Sequence, residues 1–216
     1  MVRTKICGIT NLADARAAIT AGADMLGFNF YAPSPRFIEP QEARLIVEAT
    51  RAEIRELART VTMVGVFVNE PVESIVRTAG EAGVAAIQLH GDEGVEFCRE
   101  LKDILFDRFL IKALRTGGDG VTEHATEYKV DAIMLDAFDA ELRGGTGRTV
   151  DWNLARRTRD AVPRLFLAGG LSPENVREAI DAVQPYAVDA CSALESSPGH
   201  KDAERMNAFV RAVRNG

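Results

Sequence analysis

The sequence has few cysteines, no long apolar run and no block of basic residues, and each shortage narrows what the chain does. Three cysteines among 216 residues, Cys7, Cys98 and Cys191, form an odd, widely spaced set with no CxxC pair and no histidine at metal-ligand spacing. They exclude a disulfide scaffold and a cysteine-built zinc site, give no reason to expect a metal, and fit a reducing, cytoplasmic compartment. No apolar stretch follows the basic residues near the N-terminus, and the longest strand-like run, VTMVGVFV, is far below membrane-spanning length, so no membrane partner or export is expected. Lys and Arg total 26 against 32 Asp and Glu, a net charge of -6, without a basic cluster, which argues against a nucleic-acid surface. Any anionic ligand must be held by local groups. Also missing are a Pro/Gly/Ser linker, a GxGxxG after any strand and a GxxxxGK[ST] loop. Residues 1–216 therefore read as one domain that is neither a dinucleotide-binding open sheet nor a P-loop protein.

What is present is a rhythm. Short β-branched or apolar runs (TKIC, DMLGFNF, VTMVGVFV, AAIQLH, RFLIKAL, DAIMLDA, RLFLAGG, AVDACSA) alternate with segments carrying apolar residues at helical spacing. Helices are expected to begin near Asn11, Pro40, Pro71, Gly94, Thr122, Asp151, Pro173 and Lys201, with Pro71 and Pro173 in first turns behind Asn69 and Ser172. TEHATEYK is the shortest and most polar of these. Eight βα units in a chain of this length predict an α/β fold, a single (β/α)8 TIM barrel with a parallel eight-stranded sheet. Chemistry then belongs at the C-terminal ends of the strands, where side chains and βα loops converge.

That rule selects the candidates. Lys5 and Cys7 share one side of the first strand; if it is the interior, the ammonium favours a thiolate and a base, and otherwise Cys7 is a small core residue. Asp136 closes an apolar strand, where desolvation raises a carboxyl pKa enough for proton donation; the alternatives are a loop cap or an Arg partner. Gly144, Gly145 and Gly147 in LRGGTGRTVDW free backbone N–H groups for an anion or form an ordinary turn. LAGGLSPEN, with Gly169 and Gly170, and DACSALESSPG, with Ser192 and Ala193, end the seventh and eighth strands. With ESSPG as a short extra helix, they match the phosphate site of such barrels. Arg36, in the loop after the second strand, is either a fork for a carboxylate or a solvated arginine. His90 faces the same mouth, and Cys98 falls inside a helix as packing.

KICGIT, the SPR loop, QLHGDE, MLDA, GGTGRTVDW, LAGGLSPENV and ESSPGHKD, in this order over nearly the whole chain, resemble phosphoribosylanthranilate isomerase, the barrel enzyme of tryptophan biosynthesis. The resemblance implies an Amadori rearrangement of a phosphorylated small molecule without cofactor, by a monomer or homodimer. It implies Cys7 as general base, Asp136 as general acid and Arg36 on the anthranilate carboxylate. Lys5, His90 and Asp189 complete the expected substrate-binding set, and Gly145, Gly169, Gly170, Ser192 and Ala193 the phosphate-binding set. One departure stands out: Ala193 occupies the place where the family pattern expects glycine, so its methyl and a costly positive φ are expected to disturb the phosphate loop. The rival histidine-pathway isomerase is expected to carry aspartate in place of Cys7, and indole-glycerol-phosphate synthase to use lysine and glutamate. A silent phosphate-binding barrel has no use for a base and an acid facing one cavity.

Overall fold

The structure, a computed structural model, describes residues 1–116, 120–136 and 151–215. Eight parallel strands close into a barrel in chain order: β1 (Arg3–Ile6), β2 (Met25–Asn29), β3 (Thr62–Phe67), β4 (Ala86–Leu89), β5 (Phe109–Arg115), β6 (Ala132–Asp136), β7 (Leu165–Ala168) and β8 (Ala187–Ala190), which pairs back onto β1. A helix follows each strand: α1 (Leu12–Ala21), α2 (Pro40–Glu56), α3 (Val72–Ala82), α4 (Val95–Ile104), α5 (Val121–Glu127), α6 (Trp152–Ala161), α7 (Val176–Val183) and α8 (Ala203–Arg214). The helices bury one stripe each, as in Val176, Ala179, Ile180 and Val183 of α7, against the outward residues of the sheet. The expected TIM barrel is therefore the fold.

Because strand side chains alternate, every second residue points into the barrel. A small apolar plug of Met25, Val64, Ala86, Ile111, Ala132, Met134, Phe166 and Ala187 fills the lower interior. Above it the interior turns polar, with Lys5, Gln88 and Asp189 all buried. The floor of the mouth is thus charged and packed, and the plug below it is apolar.

Three local expectations are corrected. α7 starts at Val176 rather than at Pro173, because Ser172 and Asn175 close a turn first: Asn175 Oδ1 accepts from Ser172 N–H at 2.8 Å and Ser172 Oγ accepts from Glu174 N–H at 3.2 Å. Pro71 is the cap residue of α3, and Asn69 instead binds the next loop, its Oδ1 accepting from Asp92 N–H at 2.7 Å. ESSPG forms no helix. It belongs to a hairpin of β9 (Glu195–Ser197) and β10 (His200–Lys201), and the extra turn is a 3-10 helix one step earlier, at Ser192–Leu194. Among the described residues, no helix is long and apolar enough to cross a membrane.

Candidate active site

The parallel register of β1 on β8 sets Lys5 opposite Asp189 and Ile6 opposite Ala190. Lys5 is fully buried, and its Nζ lies 2.9 Å from Asp189 Oδ1. Burial pulls the ammonium pKa down, but Asp189 and the Cys7 sulfur outweigh it and hold Lys5 above the ordinary lysine range. Burial also pushes the Asp189 carboxyl up to about 6, an effect Lys5 only partly offsets. Cys7 comes next on the same interior face, its N–H donating to Ala190 O at 3.0 Å. The neighbouring Cys191 thiol, opposed by burial and reinforced by Lys5 and Lys201, holds the Cys7 thiol well below its ordinary range. Cys7 is thus set up as a buried thiolate.

Gly27 of β2 leaves the space this group needs: a Cβ there would stand 2.7 Å from Cys7 Sγ and 3.1 Å from Lys5 Nζ. Gly27→Ala is accordingly expected to lower stability by about 1–3 kcal/mol through overpacking of the barrel floor. Urea unfolding checks this, and an unchanged midpoint would show that the sulfur moves aside freely.

Three strands away, β6 ends on Asp136. His90, just past β4, places Nε2 3.0 Å from Asp136 Oδ2, and Gln88 Nε2 donates to His90 Nδ1 at 2.7 Å. The turn carrying His90 is fixed from behind by a buried ion pair. Lys112 Nζ donates to Glu93 Oε2 at 2.6 Å and to Gly91 O at 2.7 Å, while Glu93 accepts from the Gly91 and Asn69 backbone N–H groups. QLHGDE therefore has a physical logic: Gln and His face the mouth, and the Glu clamps the turn.

Arg36 reaches the mouth from the β2–α2 loop and is held by Glu195, whose Oε1 and Oε2 accept from Nε and Nη2 at 2.8 and 2.7 Å. That clamp leaves Nη1 with no hydrogen-bond partner among the described residues. A cavity of about 250 Å³ brings together Cys7, Arg36, His90, Asp136 and Asp189, with Gly169, Gly170, Ser192 and Ala193 along one side. Gly169 and Gly170 have φ of 88° and 70°, whereas Ala193 is not among the non-glycine residues with positive φ. The strain expected of Ala193 is absent, because the 3-10 turn it sits in uses ordinary helical backbone.

One expected site residue among those described is not in the cavity wall. Lys5 lies beneath it, sealed by Asp189 and Cys7, so it acts through those groups rather than on a ligand directly. Gly145 lies outside the described residues, as do Gly144 and Gly147. Sequence reasoning missed Gln88, Cys191, Glu195 and Lys201. Strand alternation was a signal for the first two, since Gln88 precedes His90 by two and Cys191 follows Asp189 by two.

A family model described as N-(5'phosphoribosyl)anthranilate (PRA) isomerase matches residues 4–212. The chain is similar to N-(5'-phosphoribosyl)anthranilate isomerase of Pelobacter propionicus, 44% identical over 99% of this chain and 96% of that protein. It is similar to a crystal structure of monomers of the dimeric phosphoribosylanthranilate isomerase from Thermotoga maritima, 40% identical, covering 100% of both chains with a TM-score of 0.83. It is also similar to a phosphoribosylanthranilate isomerase in complex with reduced 1-(o-carboxyphenylamino)-1-deoxyribulose 5-phosphate, 41% identical, covering 100% of both chains with a TM-score of 0.82.

Proposed function

Because the chain belongs to the N-(5'-phosphoribosyl)anthranilate isomerase family and catalyses its Amadori rearrangement in tryptophan biosynthesis, we propose that Cys7 and Asp136 carry the two proton transfers. The substrate, N-(5-phosphoribosyl)anthranilate, becomes 1-(2-carboxyphenylamino)-1-deoxyribulose 5-phosphate. Asp136 delivers a proton to the ring oxygen, C1–O breaks, and the anthranilate nitrogen forms a Schiff base to C1. The iminium acidifies the C2 proton, the Cys7 thiolate removes it, and the resulting enolamine tautomerises to the C2 ketone. The observation that carries this reading is that a thiol held below its ordinary pKa and a strand-end carboxyl line one cavity from different sides of the barrel.

Neighbouring groups support the division of labour. Neutral His90 donates from Nε2 when Asp136 is ionised and accepts there when Asp136 is protonated, which reverses the role of its Nδ1. Gln88 serves both states by turning its amide, and its buried Oε1, which has no hydrogen-bond partner among the described residues, is the acceptor held in reserve. Arg36, pre-aimed by Glu195, takes the anthranilate carboxylate through Nη1, and Asp189 takes a sugar hydroxyl. The phosphate lies against the backbone N–H groups around Gly169, Gly170, Ser192 and Ala193. The chain works as a monomer or, like the dimeric Thermotoga relative, as a homodimer. A reducing, cytoplasmic setting suits it because the base must stay a free thiol.

Alkylation of Cys7 with iodoacetamide is expected to abolish conversion of phosphoribosylanthranilate, and the reduced product analogue to slow that alkylation several-fold. Enzyme fully alkylated at Cys7 that still turns over would remove the base role.

A further inference from the structure

The loop after β7 carries a side chain with no part in the proton transfers. Asn175, the last residue before α7, folds its amide back over the loop and ties it at two points: Nδ2 donates to Gly170 O at 3.0 Å, and Oδ1 accepts from Ser172 N–H at 2.8 Å. An asparagine in this place ordinarily accepts from the first free N–H groups of the helix, yet Asn175 makes no such cap bond. Its amide is committed to the loop instead, and the peptides on both sides of Leu171 are held by it. In a trans peptide the N–H points opposite to the C=O. With the Gly170 carbonyl turned toward Asn175, the Leu171 N–H of the same peptide points away from Asn175. Leu171 lines the cavity while its side chain packs in the hydrophobic core, so its share of the wall is main chain. A Cβ on Gly170 would meet nothing within 4 Å, which leaves the approach to this peptide open. Among the described residues, the N–H groups of Gly170, Leu171, Ser192 and Ala193 have no hydrogen-bond acceptor.

We propose that Asn175 is a positioning residue for the phosphate: it turns the Gly170–Leu171 peptide so that the Leu171 N–H joins those of Gly170, Ser192 and Ala193 as a donor to the phosphoryl oxygens. The inference rests on the reading that the phosphate lies between the loops after β7 and β8. Gly170, at a φ of 70°, has no side chain to hold this peptide in one orientation. Without the Asn175 amide, the peptide is free to flip and turn its carbonyl oxygen toward the mouth. An acceptor would then face a group carrying nearly two negative charges, and attraction would become repulsion.

Calorimetric binding of reduced 1-(o-carboxyphenylamino)-1-deoxyribulose 5-phosphate, compared with the same compound lacking its phosphate, tests this beside steady-state kinetics. Asn175→Ala is expected to weaken the phosphorylated compound about tenfold, the worth of one hydrogen bond to a charged group, and to change the other by less than about twofold. KM for the substrate is expected to rise by the same factor with kcat nearly unchanged. Ser172→Ala removes another bond of this turn, from Glu174 N–H to Ser172 Oγ, without touching the Gly170 carbonyl, and is expected to keep the wild-type preference for the phosphate. If Asn175→Ala fails to fold, Asn175→Asp keeps the acceptor for Ser172 N–H but has no donor for Gly170 O. Measured against wild type in about 1 M salt, where the screening length is about 3 Å and its charge counts for little, it is expected to lose the same preference. Asn175 variants that keep the preference or weaken both compounds equally overturn the proposal, as does an equal loss in Ser172→Ala. Gly170→Ala separates that failure from a failure of the phosphate reading. If it loses the preference while the Asn175 variants keep it, the phosphate stays at these loops and only Asn175 is removed; if neither loses it, the phosphate lies elsewhere and both fall.

Discussion

Asp136→Asn is expected to lower kcat by about 10²- to 10⁴-fold, the usual worth of a positioned general acid, while leaving KM close to the wild-type value. The amide has the carboxyl group's shape and still reaches His90 across the 3.0 Å contact. What the amide lacks is a transferable proton for the ring oxygen, a need that arises only as C1–O breaks. The loss therefore falls on the transition state and not on the bound ground state. Steady-state kinetics checks this. A raised KM with kcat unchanged would make Asp136 a binding group and require another acid at the mouth.

The eight-unit rhythm was legible because a parallel barrel buries both faces of each strand and one stripe of each helix, which marks the sequence twice over. Strand ends then located Cys7, Asp136, His90 and the glycines after β7, since the fold itself carries those positions to one rim. The parts that were not legible are those made by closure. Lys5 and Asp189 stand 184 positions apart, and Arg36 and Glu195 stand 159 apart, so no local period announces either pair. ESSPG was misread for a related reason. Its composition suits a phosphate-binding helix start, but Glu195 and Lys201 are cross-strand partners that form an ion pair, with Glu195 also holding Arg36, and pairing them takes a hairpin. Ala193 looked strained only while a left-handed backbone was assumed for it.

Lys5→Met is expected to cost about 3–5 kcal/mol of stability, because it leaves the Asp189 carboxylate buried without its partner. The pH dependence follows from Asp189. Its folded pKa, about 6, lies above the ordinary carboxylate value of 3.8, so its stabilising contribution is fully present below the unfolded value and is lost as pH rises through the folded one. Without Lys5 the folded pKa moves higher still, and the deficit against wild type opens as pH rises past about 6. Cys7 adds in the same direction, since losing the ammonium beneath it raises a depressed thiol pKa and forfeits stability present at higher pH. Denaturant unfolding is thus expected to show a larger deficit near about pH 8 than near about pH 5. A pH-independent deficit would mean that packing and not charge is what Lys5 supplies. Adding Asp189→Leu to Lys5→Met is expected to return most of the stability, since an apolar pair of similar volume replaces a buried ion pair at little cost. Activity is not expected to return with it: the double variant has a sound barrel floor but lacks both the cation under Cys7 and the Asp189 carboxylate for the sugar hydroxyl, so a stable and inactive protein is the result that separates what this buried pair does for the fold from what it does in the reaction.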